Sequence, residues 1–347
     1  MITGDVDSSL SADEIALYDR QIRLWGMAAQ ARMRLARVLL INLSSIGTEI
    51  CKNIVLSGLG SLCILDSHAV TEEDLGSQFY LSKQDVGLKR LDAAKNRILD
   101  LNPRVNVTFD VQDFSSKPLA YFKDFDLVIG TQLTKNEMVR LNEITRHFNL
   151  PIYLTGSNGL FGYIFVDLIE FHAEEQKIKS AKATAVGRIS DSVEVTEVVE
   201  KKDEEKPNKV YEIVKTKHTY KPFVEVLSKP TLKNKLSRRQ SKRLSPSVPL
   251  TLALFSLDEM QDELTPQILK NKALEICERL EVPTTILSNE YVEQFVVQRN
   301  VEFTPISAIL GGAVAQDVIN ILGKRQTPLK STTILDGITL DMPMFEF

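Results

Sequence analysis

The stretch Asn42-Leu43-Ser44-Ser45-Ile46-Gly47 follows the apolar run Val38-Leu39-Leu40-Ile41 and precedes a helical pattern reaching Ser57. A dinucleotide or ATP fold carries its glycine-rich loop at this place, where backbone N–H groups approach phosphates at a helix N-terminus and side chains would obstruct them. Only the last glycine is present, and close helix–strand packing accounts for Gly47. The spacing therefore predicts a Rossmann-like turn that binds nothing. Asp66, nineteen residues after Gly47, stands where a ribose contact belongs, although a strand-end Asp also caps the next turn.

Cys51, Cys63 and Cys277 form no C-x-x-C pair, so they make neither a zinc site unaided nor a disulfide framework. A nucleophilic thiol must be accessible and of lowered pKa. Cys51 and Cys63 fall on an expected helix and strand among apolar neighbours, and Cys277 on the amphipathic run Ala273-Leu274-Glu275-Ile276-Cys277. All three read as buried structural residues in a reduced compartment. The segment Tyr18-Asp19-Arg20-Gln21-Ile22-Arg23-Leu24-Trp25-Gly26 offers two guanidinium groups, which stay charged and can grip phosphate oxygens in a bidentate fork. Helix spacing alone leaves a second reading open, in which Arg20 and Arg23 pair with Asp19 and Glu14 on a solvated face.

The elements that must position these residues alternate in type. Ser11 and Glu14 predict a capping box opening a helical stretch over 11–36, with a second piece from Ala28 to Ala36. The branched, unalternating run 38–41 reads as a buried parallel strand. A helix from Gly47 to Ser57, a strand at 62–65, a helix at 88–101, strands near 105–111 and 126–130, a helix at 136–148 and strands near 152–155 and 163–169 follow. This rhythm predicts an α/β protein with a Rossmann-like doubly wound sheet. The character changes near Ala173. Residues 194–206 hold nine charged residues of thirteen, and 229–243 hold seven Lys or Arg and no acid. The expected division is 1–172 as the first part of the sheet domain, 173–249 as a charged insertion with a mobile loop, and 250–347 as the domain's second part. Within the insertion Tyr211 and Ile213, then Tyr220, Phe223 and Val224, predict irregular strands. An apolar helix at Leu250, helices over Pro266–Leu280, Tyr291–Arg299 and Pro305–Leu322, and a strand at Ile334-Leu335-Asp336 complete the chain.

Composition narrows the classes. The 347 residues, 43% hydrophobic and 25% charged with 16 Gly and 13 Pro, exclude collagen-like, low-complexity and wholly disordered chains. A net charge of −4 gives no reason to expect nucleic acid as the main partner. No aromatic interleaves the basic run Lys229–Arg243; it reads as a solvated face, an import signal or, least well, a nucleic-acid patch. Asp5 and Asp7 stand where a signal peptide needs a basic start, and no apolar run approaches the ~20 residues that span a bilayer. A soluble intracellular protein is expected, in cytosol or nucleus.

The Tyr18–Gly26 phrase, the run 38–66, Asp74-Leu75-Gly76-Ser77-Gln78-Phe79, Asn102-Pro103-Arg104-Val105 and 303–324 together resemble the ubiquitin-like-protein activating enzymes, which share the ThiF/MoeB-like adenylation fold. Across most of 11–172 and 250–347 the likeness is to the small, Aos-type subunits of the SUMO-activating class, and the closing 335–347 resembles the fungal versions. In that family two adenylation folds face each other and one holds ATP. The active fold has an intact glycine loop, a second Asp at the ribose end, an Asn and an Arg in the phosphate-contacting segment, a Lys in the following helix and an Asp-Asn pair at the magnesium turn. Here Asn42 and Ser44 replace glycines, His68 the second Asp, Gly76 and Ser77 the Asn and Arg, Arg90 the Lys, and Leu133-Thr134 the Asp-Asn pair. Leucine cannot supply the oxygen ligand Mg²⁺ needs.

The resemblance therefore implies an inactive adenylation half with no nucleotide or metal of its own. ATP and Mg²⁺ would be bound by a large, catalytic Uba-type partner that adenylates the SUMO C-terminus and takes the acyl group onto its own cysteine. Arg20 matches the arginine that reaches across such a dimer to the partner's ATP, and the nucleus, with some cytoplasm, is the implied location. The glycines Gly311-Gly312, with Ala308 and Ala315, mark a helix approached closely, by the sheet or by the partner's equivalent helix. Three other readings stay open: the regulatory subunit of another modifier's enzyme, a scaffold without ATP contact, and an NAD-dependent oxidoreductase, which would need the glycine loop that 42–47 lack.

Overall fold

The computed structural model describes residues 10–180, 183–202, 210–257, 264–324 and 326–347. Asp5, Asp7 and residues 203–206 of the charged run lie outside them.

The capping box at Ser11 is present: Ser11 Oγ accepts the Glu14 N–H and Glu14 Oε2 accepts the Ser11 N–H at 2.8 Å. It opens three short helices where one long stretch with a second piece is expected, α1 (Ala12–Leu17), α2 (Asp19–Trp25) and α3 (Met27–Leu35). Gly26 makes the second break because its φ of +84° is one that only glycine adopts readily. Then come β1 (Arg37–Ile41), α4 (Ser45–Leu56), β2 (Ser61–Leu65), α5 (Arg90–Leu99), β3 (Asn106–Asp110), β4 (Leu127–Thr131), α6 (Lys135–His147), β5 (Ile152–Asn158) and β6 (Phe161–Asp167).

Strands β3, β2, β1, β4 and β5 lie side by side in that order and all parallel. Such a sheet is buried on both faces, which is why β1 reads as an unbroken apolar run. Leu39 and Ile41 enter the core on one face, with Met138 of α6; Val38 and Leu40 enter the core on the other, with Ile50 of α4 and Leu91 of α5. The order reverses between β1 and β4, where a doubly wound sheet opens its ligand crevice. Beyond β5 the sheet turns antiparallel, with β6 pairing back on β5.

The charged middle region folds as a second sheet of four antiparallel strands, β7 (Glu170–Ile178), β8 (Gly187–Arg188), β9 (Val193–Lys202) and β10 (Val210–Thr219). Most side chains of β7 and β9 are exposed on both faces. Cross-strand ion pairs such as Lys215–Glu197 and Lys217–Glu170, each at 2.6 Å, take the place of apolar alternation, so described residues expected in a loop are strand. Phe223 and Val224 are not strand residues either: Pro222 precedes α7 (Phe223–Ser228), and Phe223 packs on Phe165 of β6. After α8 (Arg238–Lys242), the helices α9 (Ser247–Ser256), α10 (Pro266–Leu280) and α11 (Asn289–Val297) cover the Leu39 face.

Helix α12 (Thr304–Gly323) covers the Val38 face against α4, and β11 (Thr332–Asp336) and β12 (Met344–Phe345) extend the sheet beyond β6. At 20 residues and mean hydropathy 1.5, α12 is long and apolar enough to cross a bilayer, contrary to the expectation that no run would be. Its apolarity comes from packing: Leu310, Val314 and Val318 are buried in the core, and its Asp317 accepts the Tyr153 hydroxyl at 2.6 Å inside it. Of the two glycines, Gly311 needs its bareness, since a Cβ there would lie 2.6 Å from Glu49 Cβ on α4. Gly312 does not. Nothing lies within 4 Å of its Cβ position, and it faces outward.

Candidate functional site

The loop after β1 is shaped by its own side chains. Asn42 takes a left-handed φ of +69°, donates from Nδ2 to the Thr131 carbonyl at 2.9 Å and accepts Arg90 Nη1 at 3.1 Å. Ser44 caps α4 by accepting the Gly47 N–H at 3.1 Å and donates to Thr131 Oγ1 at 2.8 Å. A Cβ on Gly47 would come within 2.6 Å of the Asn42 carbonyl oxygen and 3.0 Å of Thr131 Oγ1. Gly47 is thus the close-packing residue the sequence indicates.

The N-terminus of α4, a 12-residue helix, is the natural seat for an anion. A carboxylate of this chain already holds it. Glu302 Oε2 accepts the Ser45 N–H at 2.9 Å and the Ser77 hydroxyl at 3.3 Å. Burial pushes the Glu302 carboxyl above its ordinary value, with Asp74 adding to the rise, while the Ser45 N–H and the Arg90 charge oppose it.

Asp66, at the ribose position, is committed as well. One oxygen accepts the Leu43 N–H at 2.8 Å and Arg90 Nη1 at 2.9 Å; the other accepts the His68 N–H at 2.8 Å and pairs with His68 Nδ1 at 2.7 Å. Burial alone would raise the Asp66 carboxyl, but the hydrogen bond from the His68 ring and the Arg90 charge outweigh it and hold it below the usual range. Arg90, only 11% exposed at its side chain, also reaches Asp74 at 3.2 Å. A cation that should meet phosphates is locked between two carboxylates. Together with Leu133 in the turn after β4, which offers no side-chain oxygen, these contacts leave the cleft a poor fit for ATP and Mg²⁺. Among the described residues no group of three or more His, Cys, Asp or Glu could hold a metal ion.

Glu302 is absent from the sequence-derived candidates because it belongs to no motif and meets Ser45 across 257 positions. Its one visible trait is an acid directly before an apolar helix. Asp74 carries no signal of its own within the phrase 74–79, and its link to Arg90 is a tertiary contact.

Helix α2 is fixed to the body of the fold on one side, while Arg20 is exposed. Tyr18 is buried, its hydroxyl accepting Asn102 Nδ2 at 2.9 Å; Gln21 Nε2 donates to the Leu56 carbonyl at 3.2 Å; Trp25 Nε1 donates to Gln30 Oε1 at 2.8 Å. Arg23 pairs with Asp19 at 3.0 Å and Glu14 with Arg34 at 3.2 Å. Arg20 is exposed and makes no ion pair with any described residue. The pairing foreseen for both arginines thus holds for Arg23 alone.

The thiols are placed for packing. Cys51 and Cys277 are fully buried, and loss of hydration pushes them up to about 12 and about 11. Cys63 is half-buried, 3.4 Å from the Tyr121 hydroxyl. Cys51 and Cys277 thus lack the accessible, acidified setting of a nucleophile, and Cys63 lies against the Tyr121 hydroxyl.

The outer side of α12 exposes Pro305, Ala308, Ile309 and Gln316 around Gly312, and Phe303 just before the helix is 43% exposed. This is a smooth, largely apolar strip against which another helix could lie. In the basic run, Lys233 pairs with Glu281 at 2.9 Å and Lys235 donates to the Glu346 carbonyl at 2.6 Å. Arg238, Arg239, Lys242 and Arg243 stand exposed on and just after α8, while Leu232 and Leu244 anchor the segment in the core.

Comparison with known proteins matches this arrangement to others. The sequence profile described as the ThiF family matches residues 18–347. The chain is 54% identical over 340 residues, 97% of this chain and 98% of the other, to the DNA damage tolerance protein RHC31 of Saccharomyces cerevisiae. It is 34% identical over 95% of both chains to the DNA damage tolerance protein rad31 of Schizosaccharomyces pombe. It is 31% identical, over 95% of this chain and 93% of the other, to SUMO-activating enzyme subunit 1 of Rattus norvegicus. Among solved structures, the crystal structure of SeMet PaaA superimposes with a TM-score of 0.55 at 15% identity over all of this chain and 77% of that one, a likeness of fold.

Proposed function

The chain belongs to the ThiF family, and on that footing we propose that it is the non-catalytic subunit of a heterodimeric SUMO-activating enzyme. The observation that carries this reading is the cleft closed by its own Glu302, Arg90 and Asp66: an adenylation fold whose phosphate seat is already filled does its work in another subunit's reaction. The similarity to proteins named SUMO-activating enzyme subunit 1 supports SUMO as the modifier.

In this reading the large partner subunit binds ATP and Mg²⁺, adenylates the modifier's C-terminus and receives it as a thioester on its own cysteine. This chain completes the dimer through the strip centred on Gly312 and Ile309 and supplies Arg20 to the partner's ATP. The rigid anchoring of Tyr18, Gln21 and Trp25 supports the role of Arg20, because a guanidinium on a fixed helix loses less freedom when it binds. Location in the nucleus, with some cytoplasm, is part of the same proposal, and the exposed basic residues of α8 are its candidate signal. Replacing Arg238, Arg239, Lys242 and Arg243 by Gln, which leaves Leu232 and Leu244 in place, tests it: unchanged nuclear accumulation removes the signal.

The central test is co-expression with candidate large subunits, followed by ATP-dependent thioester formation with each modifier. SUMO thioester on the large subunit, absent when either chain is omitted, is the expected result. A thioester with another modifier only, or one mapped to this chain's thiols, would overturn the reading.

A further inference from the structure

Within the basic segment around α8, one hydroxyl stands apart. Of the six serines and threonines from Ser228 to Ser247, five have their side-chain oxygen engaged. Ser228 donates to the Glu225 carbonyl at 3.2 Å, Thr231 accepts the Lys233 N–H at 3.2 Å, and Ser237 accepts the Gln240 N–H at 3.2 Å as the cap of α8. Ser245 and Ser247 share a buried hydrogen bond at 2.8 Å. Ser241 makes no side-chain hydrogen bond with a described residue, and its half-buried position leaves the oxygen open to solvent.

Its surroundings are cationic. Arg238 and Arg239 precede it by three and two residues, Lys242 and Arg243 follow it, and no acid lies in 229–243. All four cations are exposed, and none forms an ion pair with a described residue. Residues three apart share a face of a helix, so Arg238 stands beside Ser241. Helix α8 is a loose strap. Its five residues are far fewer than the ~12–15 an isolated helix needs. It is closed by its own capping box and by local backbone bonds such as the Ser241 N–H to the Ser237 carbonyl at 2.9 Å. Attachment to the core falls to Leu232, Leu236 and Leu244 on either side. Residues 237–243 can therefore be drawn out as an extended stretch while those leucines stay in place.

We propose that Ser241 is a phosphorylation site, modified by a protein kinase whose carboxylates read the arginines two and three residues before the acceptor. Two guanidinium groups at fixed spacing from an open hydroxyl, on a segment that extends at little cost, suit such an enzyme, because kinases select substrates by charge pattern. Ser241 Oγ attacks the γ-phosphorus of the kinase's ATP. The new O–P bond forms as the bond to the β,γ-bridging oxygen breaks, ADP leaves, and the hydroxyl proton passes to the kinase's catalytic carboxylate. The phosphate carries close to two negative charges, which reduces the four positive charges of 238–243 to about two. Arg238 and Lys242 are placed to pair with it. Modification thus weakens this cationic surface and leaves its core anchors untouched. The site depends neither on the role proposed for Arg20 nor on whether α8 directs import.

The test uses the full chain with its co-purifying large subunit, ATP, Mg²⁺ and the catalytic subunit of cyclic-AMP-dependent protein kinase as an arginine-directed probe, with an acid-directed kinase as control. Peptide mass mapping should place one phosphate on Ser241 with the first kinase and none there with the second. Ser241→Ala should abolish that incorporation, and Arg238→Gln or Arg239→Gln should slow it tenfold or more. All three variants should keep the parent thermal midpoint, because none of these side chains holds a structural contact. The phosphopeptide should also be present in protein recovered from its own cells with phosphatases inhibited. Phosphate on Ser237 with Ser241 unmodified, a rate unchanged by both arginine variants, or absence of the phosphopeptide from cells would overturn the proposal.

Discussion

The Glu302 carboxylate lies 2.9 Å from the backbone nitrogen of Ser45, at the first turn of α4. A side chain from just before α12 thereby occupies the position from which a helix N-terminus would hold a phosphate.

Burial raises the Glu302 carboxyl above its ordinary value, so the native chain keeps that proton to a higher pH than the unfolded chain does. The stabilising contribution is full in acid and is lost as pH rises through the ordinary glutamate range toward the raised native value. Glu302→Gln is neutral throughout and can still accept the Ser45 N–H. Urea unfolding should find the variant more stable than the parent at pH 7, with the gap closing in acid. A variant less stable at pH 7 than the parent would refute this.

Arg90 bridges two buried acids, Asp66 at 2.9 Å and Asp74 at 3.2 Å. Removing one partner of a buried ion pair strands the other, at about 3–5 kcal/mol. Arg90→Met should lower the unfolding free energy by that much, read in urea as a lower midpoint with an unchanged slope. Replacing Arg23, whose pair with Asp19 is exposed, should change stability by less than ~1 kcal/mol.

Arg20→Ala should leave folding and dimerisation intact while slowing ATP–pyrophosphate exchange by the assembled enzyme. Loss of a charge-assisted hydrogen bond of ~1.5–3 kcal/mol corresponds to roughly a ten- to hundredfold drop. Exchange at the parent rate would leave Arg20 as an ordinary solvated residue.

Gly311 and Gly312 should behave oppositely. Gly311→Ala brings a Cβ within 2.6 Å of Glu49 Cβ and should destabilise the isolated chain. Gly312→Ala meets nothing within 4 Å and should stabilise the helix by up to ~1 kcal/mol. Gly312→Leu, equally tolerated by the isolated chain, should weaken association with the large subunit. Size-exclusion chromatography with light scattering separates the outcomes, and undiminished association in the leucine variant would move the interface elsewhere.

The parallel half of the sheet was legible because burial on both faces writes an unbroken apolar run, as in Val38-Leu39-Leu40-Ile41, and the helices between carry local start signals such as Ser11 with Glu14. Strand β9 was hidden because both its sides are largely wet and ion pairs such as Lys215–Glu197 stand where apolar alternation would be, whereas Tyr211 and Ile213 marked β10. At the cleft, Gly47 and the losses at Asn42, Ser44 and Leu133 could be read locally. What fills the cleft could not, since Glu302 approaches α4 from the far end of the sequence and Arg90 meets Asp74 only after the intervening loop has folded. The two glycines divide in the same way: a glycine pair looks alike in sequence, and only the fold shows that Gly311 meets α4 while Gly312 faces outward.

Helix α12 packs on α3 and α4, and Arg32 on α3 donates to the Gly323 carbonyl at 2.5 Å. The ribosome makes these contacting pieces some 250 residues apart, which at ~5–20 residues per second takes on the order of ten seconds or more. Throughout that interval the apolar side of α4, with Ile46 and Ile50, is without its cover. The emergence of α12 covers α4 and in the same event presents the strip around Ile309. Cover for α4 and the strip around Ile309 therefore come from one element, α12.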